Sequence, residues 1–320
     1  MFKISAWHGD LSDSYLKLVT QLGVDCLDFG GGEFFPGVNE QGYPDKEALL
    51  EICRKIKSWG LDINRITLPN LTDKFMKNEP GGDEELENSC KALRIFAEAG
   101  VPIARQRFSG DTFPDQMTRY SSVHRGGYLS RGESIGMTKD RPETPTKEEL
   151  DFWWQRFCLA YSQLVPIVEE FEIKLAIHPS DTPNIDTPLG GLGFHRVIDT
   201  FPSRQVGYLY CCGTRGEAGG SSLVLDEINN YGRKGKIFMV HLRNVRGSLA
   251  TAGAFEETLL DDGDMNMFKI LLELKKVGFS GCINADHIPP LEGDEKGTQQ
   301  GLAYSVGYIK AMFAAMAALP

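Results

Sequence analysis

The sequence predicts an α/β protein, a (β/α)8 TIM barrel in a single domain, and three observations carry that prediction. Short β-rich apolar runs alternate with longer amphipathic segments from one end of the chain to the other. The alternation repeats eight times, the number at which parallel strands with crossover helices close on themselves. The competing architecture for 320 residues is an open doubly wound sheet with a smaller second domain. It wants a GxGxxG turn after the first strand, and none is there.

Strands are predicted at 3–7 (KISAW), 24–29 (VDCLDF), 61–67 (LDINRIT), 102–107 (PIARQR), 173–178 (IKLAIH), 205–211 (QVGYLYC), 236–242 (KIFMVHL) and 281–286 (GCINAD). Helices are predicted at 12–22, 45–59, 83–99, 147–171, 190–200, 221–233, 264–277 and 299–318. In the second helix Leu49, Leu50, Cys53 and Ile56 share a face, Asp45 caps the start and Gly60 follows the end. Leu86, Cys90, Leu93 and Ala97 stripe the third before Gly100, and the seventh opens at Asp264 and runs through Phe268, Leu271 and Leu272 to Gly278. Gly30-Gly31-Gly32 precedes EFFPGVNEQGYP rather than a helix, which suits a flexible active-site loop better than a phosphate cradle. Residues 108–146, rich in Gly, Pro, Ser and Arg, make one long connection after the fourth strand. Its place predicts an active-site loop over the C-terminal mouth.

Composition narrows the partners. Hydrophobic residues are 41% and charged residues 24%, with no run fit to span a bilayer, so no membrane role is expected. Thirty-four basic residues against 44 acidic give a net charge of -10, and the basic ones are scattered, so no nucleic-acid partner is expected. Seven cysteines, an odd number, fall in predicted strands and helices rather than loops. MFKISAWHGD shows no basic segment followed by an apolar stretch, so a reducing cytoplasm is the expectation and the thiols are open to metal. AAMAALP, preceded by Met312, Phe313 and Met316, reads as core packing, with a homo-oligomer contact as the other reading.

In a barrel of this kind the chemistry projects from the C-terminal strand ends. Four consecutive units end there in His178, Cys211, His241 and Asp286. Two imidazoles, a thiolate and a carboxylate suit Mn²⁺, Fe²⁺, Co²⁺ or Zn²⁺ rather than Mg²⁺ or Ca²⁺. Alternation puts Lys174, Ala176 and His178 on one face and Ile237, Met239 and His241 on one face, so both histidines can share the lumen mouth. Of the adjacent Cys211 and Cys212 only one can face inward in a regular strand; Cys211 is taken as the ligand and Cys212 as packed under a helix. His287 joins Asp286 at the mouth only if the backbone bends, which Pro289-Pro290 favours. A single His or Cys at a strand end is more often packed than ligating, and it is the four in sequence that point to metal. His8 and His195 read as structural or surface residues, and His124 in the long connection as a solvated one.

Guanidinium forks match carboxylates. Arg243, two residues past His241, together with Arg246, Arg105 and Arg107, is the expected cationic contact for an acidic small substrate. Arg65 lies on the third strand nearby. Most other basic residues read as surface ion pairs.

The run MVHLRNVRGS followed by FEETLLDDGDMNMFKILLELKKVGFSGCINADHIPP, with HPSDTP and CCGT before it, resembles the C-terminal half of the D-mannonate dehydratases, in the xylose-isomerase-like barrel superfamily. The motifs cover about residues 173–295. The resemblance implies a lyase that removes water from D-mannonate to give 2-keto-3-deoxy-D-gluconate, with Mn²⁺ or Fe²⁺ as cofactor. It maps the metal onto His178, Cys211, His241 and Asp286, an acid/base role onto His287, and a second acid/base role onto a tyrosine in TQQGLAYSVGY, Tyr304 or else Tyr308. The N-terminal half has ISAWHGD and PIARQRFSGD where that family has RWYG-like and CYNFMP-like segments, which points to a divergent branch.

The residues fit such a reaction. Dehydrating a 2,3-dihydroxy acid requires removal of a weakly acidic proton beside the carboxylate and loss of hydroxide from the next carbon. A Lewis acid, an arginine on the carboxylate, and proton carriers at His287 and Tyr304 would meet those needs. Two other readings compete: a metal-dependent sugar isomerase or epimerase of the same superfamily, against which the cysteine ligand weighs, and a non-catalytic sugar-acid binding protein, in which His287 beside a metal would be superfluous.

Overall fold

The computed structural model describes residues 2–109, 117–140, 143, 145–179, 191–294 and 298–319. In chain order its strands are β1 (Lys3–Trp7), β2 (Cys26–Asp28), β3 (Asp62–Thr67), β4 (Ile103–Arg105), β5 (Thr118–Val123), β6 (Leu129–Ser134), β7 (Lys174–Ile177), β8 (Val206–Cys211), β9 (Ile237–Leu242), β10 (Asn244–Ser248), β11 (Ala254–Thr258) and β12 (Cys282–Ala285). Eight of them close a parallel barrel in the order β1-β12-β9-β8-β7-β4-β3-β2, as the sequence predicts for a (β/α)8 TIM barrel. No helix among the described residues is long and apolar enough to cross a membrane.

Helix starts follow local chemistry. Asp45 accepts the Ala48 N–H at the head of Lys46–Ser58, and Thr146 and Glu149 form a reciprocal capping box at the head of Lys147–Glu170. The seventh helix opens later than Asp264: Asn266 caps Met267–Lys276 by accepting the Lys269 N–H. The sixth opens earlier than predicted, at Cys212, directly from the strand. Its glycine-rich head looks like a loop in sequence, and the glycines have a different use. A Cβ at Gly213 would overlap Arg243, so glycine there lets the helix press on that side chain. At Gly220, with φ 69° and ψ −166°, the helix kinks before resuming to Arg233. Gly32 begins a short 3₁₀ turn through Phe34, so the glycine triplet leads into ordered structure.

The larger correction concerns residues 108–146. They are not only a loop: β5 and β6 form an antiparallel hairpin, turning at Gly126 (φ 67°) and Gly127 (φ 89°). β6 pairs with β11 and β11 with β10, giving a second, four-stranded antiparallel sheet in the order β10-β11-β6-β5. Its strands leave the C-terminal ends of β4 and β9, so the sheet stands at the barrel mouth. Residues 110–116 of this connection lie outside the described ones.

The barrel lumen is layered. Ile103, Ala176, Leu209 and Met239 pack together inside it. Two residues further along the same strands come Arg105, His178, Cys211 and His241, which the period of two puts on the same face. Across the lumen, buried Asp28 accepts hydrogen bonds from Ser5 Oγ (2.5 Å), Asn64 Nδ2 (2.7 Å) and Asn284 Nδ2 (2.5 Å), satisfying a carboxylate shut away from solvent. All seven cysteines are free thiols.

Candidate metal centre and its cavity

One residue from each of β7, β8, β9 and β12 meets at the mouth. His178 follows the end of β7, Cys211 ends β8, His241 lies in β9 and Asp286 follows β12. The ligand atoms of His178, Cys211 and His241 all lie within 4.8 Å of one another. Asp286 adjoins them, with Oδ2 3.4 Å from His241 Nδ1 and 4.0 Å from Cys211 Sγ. Cys212 points the other way, into the hydrophobic core under its own helix.

The electrostatics favour cation capture. His241 is 2% exposed, yet among the described residues its ring nitrogens have only the long contact from Nδ1 to Asp286 Oδ2 at 3.4 Å, a cost that a bound ion removes. Burial, partly opposed by Asp286, keeps the His241 imidazole below its ordinary pKa. Burial pushes His178 well down, helped by Arg105 and His241. Both shifts favour the neutral imidazole, whose lone pair a metal needs. Burial works to raise Asp286, but His241, His287 and Arg243 outweigh it and hold the carboxyl well below its usual range. Burial pushes the Cys211 thiol up to about 11 against the pull of Arg243. Cys211 also sits at a helix N-terminus, where the Thr214 N–H (3.4 Å) and hydroxyl (3.2 Å) both donate to its sulfur. Those donors and a cation stabilise the thiolate a metal needs. This donor set fits a borderline divalent ion.

A cavity of about 350 Å³ opens over the cluster. His178, His241, Asp286 and His287 line it together with Trp7, Arg105 and Arg107. His287 reaches it because the backbone turns there into the left-handed region, φ 47°, strain that a non-glycine residue bears only when its surroundings hold it. Its side chain is 41% exposed, while Nδ1 lies 2.6 Å from Glu257 Oε1 and 2.6 Å from Arg243 Nη1.

Several sequence-predicted residues go elsewhere. Arg243 is 1% exposed, and its guanidinium serves the protein: Nη1 donates to Glu257, and Nη2 donates to Thr214 Oγ1 (2.8 Å) and pairs with Glu217 (3.1 Å). It is thus a buried network residue rather than a substrate clamp. Arg246 is turned to Asp262, with Nε on its carbonyl (2.9 Å) and Nη2 on its carboxylate (2.6 Å), away from the cavity. Tyr304 lines a separate depression of about 650 Å³ with Arg125 and Asp294, receives Arg125 Nη2 at 3.4 Å, and stacks on Tyr308. Tyr304 thus faces the hairpin, and neither tyrosine is among the residues lining the metal cavity. His124 is buried rather than solvated, 2.9 Å from both Ser122 and Ser130 hydroxyls and stacked on Tyr128. His8 stacks on Phe29, and His195 meets Tyr231, as structural residues do.

Sequence reasoning missed Trp7, which the strand-end rule applied to β1 would have found. It also missed Glu217, Glu257 and Arg131, which carry no local signal. Arg131 pairs with Glu217 (3.2 Å) and Glu257 (2.8 Å), so that with Arg243 the two glutamates and two arginines form a closed ring joining the second sheet to the barrel.

The pattern of the D-mannonate dehydratase family matches residues 138–319, more than half of the chain. The chain belongs to the D-mannonate dehydratase family. It is 26% identical over 299 residues to a mannonate dehydratase of Geobacillus thermodenitrificans, covering 80% of this chain and 78% of that one. It is 24% identical over 283 residues to one from Brachyspira hyodysenteriae, covering 76% and 78%. A crystal structure of mannonate dehydratase from Streptococcus suis serotype 2 superposes with a TM-score of 0.80 at 20% identity, over 98% of this chain and 95% of that one. D-mannonate dehydratases are metal-dependent hydro-lyases. The family match begins after the first 137 residues, the half in which the sequence departs from the family's motifs.

Proposed function

We propose that this chain dehydrates a sugar acid, D-mannonate to 2-keto-3-deoxy-D-gluconate, with Mn²⁺ or Fe²⁺ held by His178, Cys211, His241 and Asp286. The observation that carries this reading is a three-ligand cluster at the mouth with a solvent-open imidazole, His287, on its rim, in a chain of this family. When bound, the ion supplies Lewis acidity to the substrate oxygens on which negative charge develops.

Arg105 and Arg107, which line the same cavity, bind the substrate carboxylate and orient the sugar chain. His287 takes the proton from the carbon beside the carboxylate and returns it to the hydroxyl on the next carbon, which leaves as water. The carbon–hydrogen and carbon–oxygen bonds break, a carbon–carbon double bond forms, and the resulting enol becomes the 2-keto acid. One imidazole suffices for both transfers, which suits a cavity that Tyr304 does not line.

The test is a panel of aldonic acids given to the purified protein with Mn²⁺ and with a chelator, followed by detection of 2-keto acid. Product from D-mannonate, lost with chelator, is expected. No 2-keto acid from any member, or an isomerised sugar instead, overturns the reading. His287→Ala should lower turnover by about 10²–10⁴-fold while bound metal stays unchanged.

A further inference from the structure

Glu257, in β11 of the second sheet, is 5% exposed and reaches down to the site. Its Oε1 alone meets Arg243 Nη1, Arg131 Nη2 (2.8 Å) and His287 Nδ1 (2.6 Å). His287 Nδ1 also lies 2.6 Å from Arg243 Nη1. These two neighbours make opposite demands. An arginine only donates and wants a lone pair on Nδ1, whereas an ionised carboxylate only accepts and wants a proton there.

A neutral imidazole has one N–H, so whatever Nδ1 carries decides what Nε2 offers. Arg243 Nη1 already donates to Glu257 and its Nη2 serves Thr214 and Glu217, while the ionised carboxylate, unlike the guanidinium, can take a proton from the ring. The closed ring of two arginines and two glutamates fixes that oxygen in place. It faces a residue whose left-handed backbone needs to be held.

We propose that Glu257 is a positioning residue that selects the Nδ1–H tautomer of His287, leaving Nε2, 3.8 Å from Asp286 Oδ2, as a base. Its catalytic meaning rests on the reading of His287 as the proton carrier; its structural content does not. The second sheet is then a working part of the site: it sets the direction in which the imidazole moves protons.

The test uses protein labelled with [¹⁵N]histidine, which has six histidines to assign, as the diamagnetic zinc-loaded form. Wild-type His287 should show a pyrrole-type Nδ1 and a pyridine-type Nε2. In Glu257→Ala the two should exchange, because Arg243 then donates to Nδ1. Turnover should fall about 10²–10⁴-fold, the scale of a misdirected proton carrier, with KM and bound metal little changed, and added formate should restore the tautomer and part of kcat. If Glu257→Ala does not fold, Glu257→Gln, which keeps the shape and removes the charge, should shift the tautomer in the same direction. An unchanged tautomer in the folded variant, or a wild-type His287 already protonated at Nε2, overturns the proposal. The tautomer is read without substrate, so a wild type that makes no 2-keto acid while its variant still switches would sink the reaction and leave the positioning role standing.

Discussion

The two halves of the barrel mouth are built from different chemistry. β12, β9, β8 and β7, consecutive in the wall, end in the buried Asp286, His241 and Cys211 and the half-buried His178, and are overlaid by the second sheet through the ring of Arg131, Glu217, Arg243 and Glu257. The half formed by β1 to β4 ends in Trp7, the half-buried Arg105 and, just beyond, the exposed Arg107. One half ties its buried charges to one another in the ring and so holds its geometry. The other turns cations and an aromatic ring to the cavity. The difference assigns metal and proton handling to the rigid half and substrate orientation to the open one, a division in which preorganised groups act against a mobile ligand.

The strongest way to break that division is to remove a ligand. His241→Ala should bring bound metal below one per chain and turnover down by about 10³-fold or more, since the Lewis acid contributes several kcal/mol. Metal analysis beside the keto-acid assay checks both, and a variant that keeps its metal and its activity would remove the centre from the mechanism.

Next in size is the open half. Arg105→Ala should raise KM for the sugar acid about 10- to 100-fold, the worth of one charge-assisted hydrogen bond of about 1.5–3 kcal/mol, with metal content unchanged. Arg105→Lys should recover only part of it, because an ammonium keeps the charge and loses the fork. Metal loss on changing Arg105 would mean that the two halves are not separable.

These halves were not equally legible in the sequence. The convergence of His178, Cys211 and His241 could be read because strand alternation sets the face and barrel polarity sets the end, both local properties. Arg243 was placed on the correct face by the same rule, two residues after His241. Its fork nonetheless belongs to Glu217 and Glu257, whose positions no local pattern gives. The hairpin strands TRYSSV and LSRGES lack apolar alternation; they pair with each other, and LSRGES also pairs with β11, over a hundred residues away. Helix phase alone likewise does not say which neighbour the Tyr304 face meets, and the neighbour is Arg125 of that hairpin.

The smallest effect separates the two attachments of the second sheet. Arg125 makes a two-armed bridge to Asp261, at 2.5 and 2.9 Å, with side chains 50% and 24% exposed. The ring around Glu257 makes the other attachment, with Glu217 fully buried and Arg243 and Glu257 nearly so. Water screens the first pair, and two side chains must be ordered to form it, so its net worth is below about 1 kcal/mol. The ring's charges have no such alternative solvation, and loss of any one leaves its neighbours buried and uncompensated. Arg125→Ala should therefore move the urea midpoint only slightly and leave kcat and metal content as they were. A loss of several kcal/mol in that variant would show that the exposed bridge, and not the ring, fastens the sheet to the barrel, and Glu257 would then lack the rigid mount its role over His287 requires.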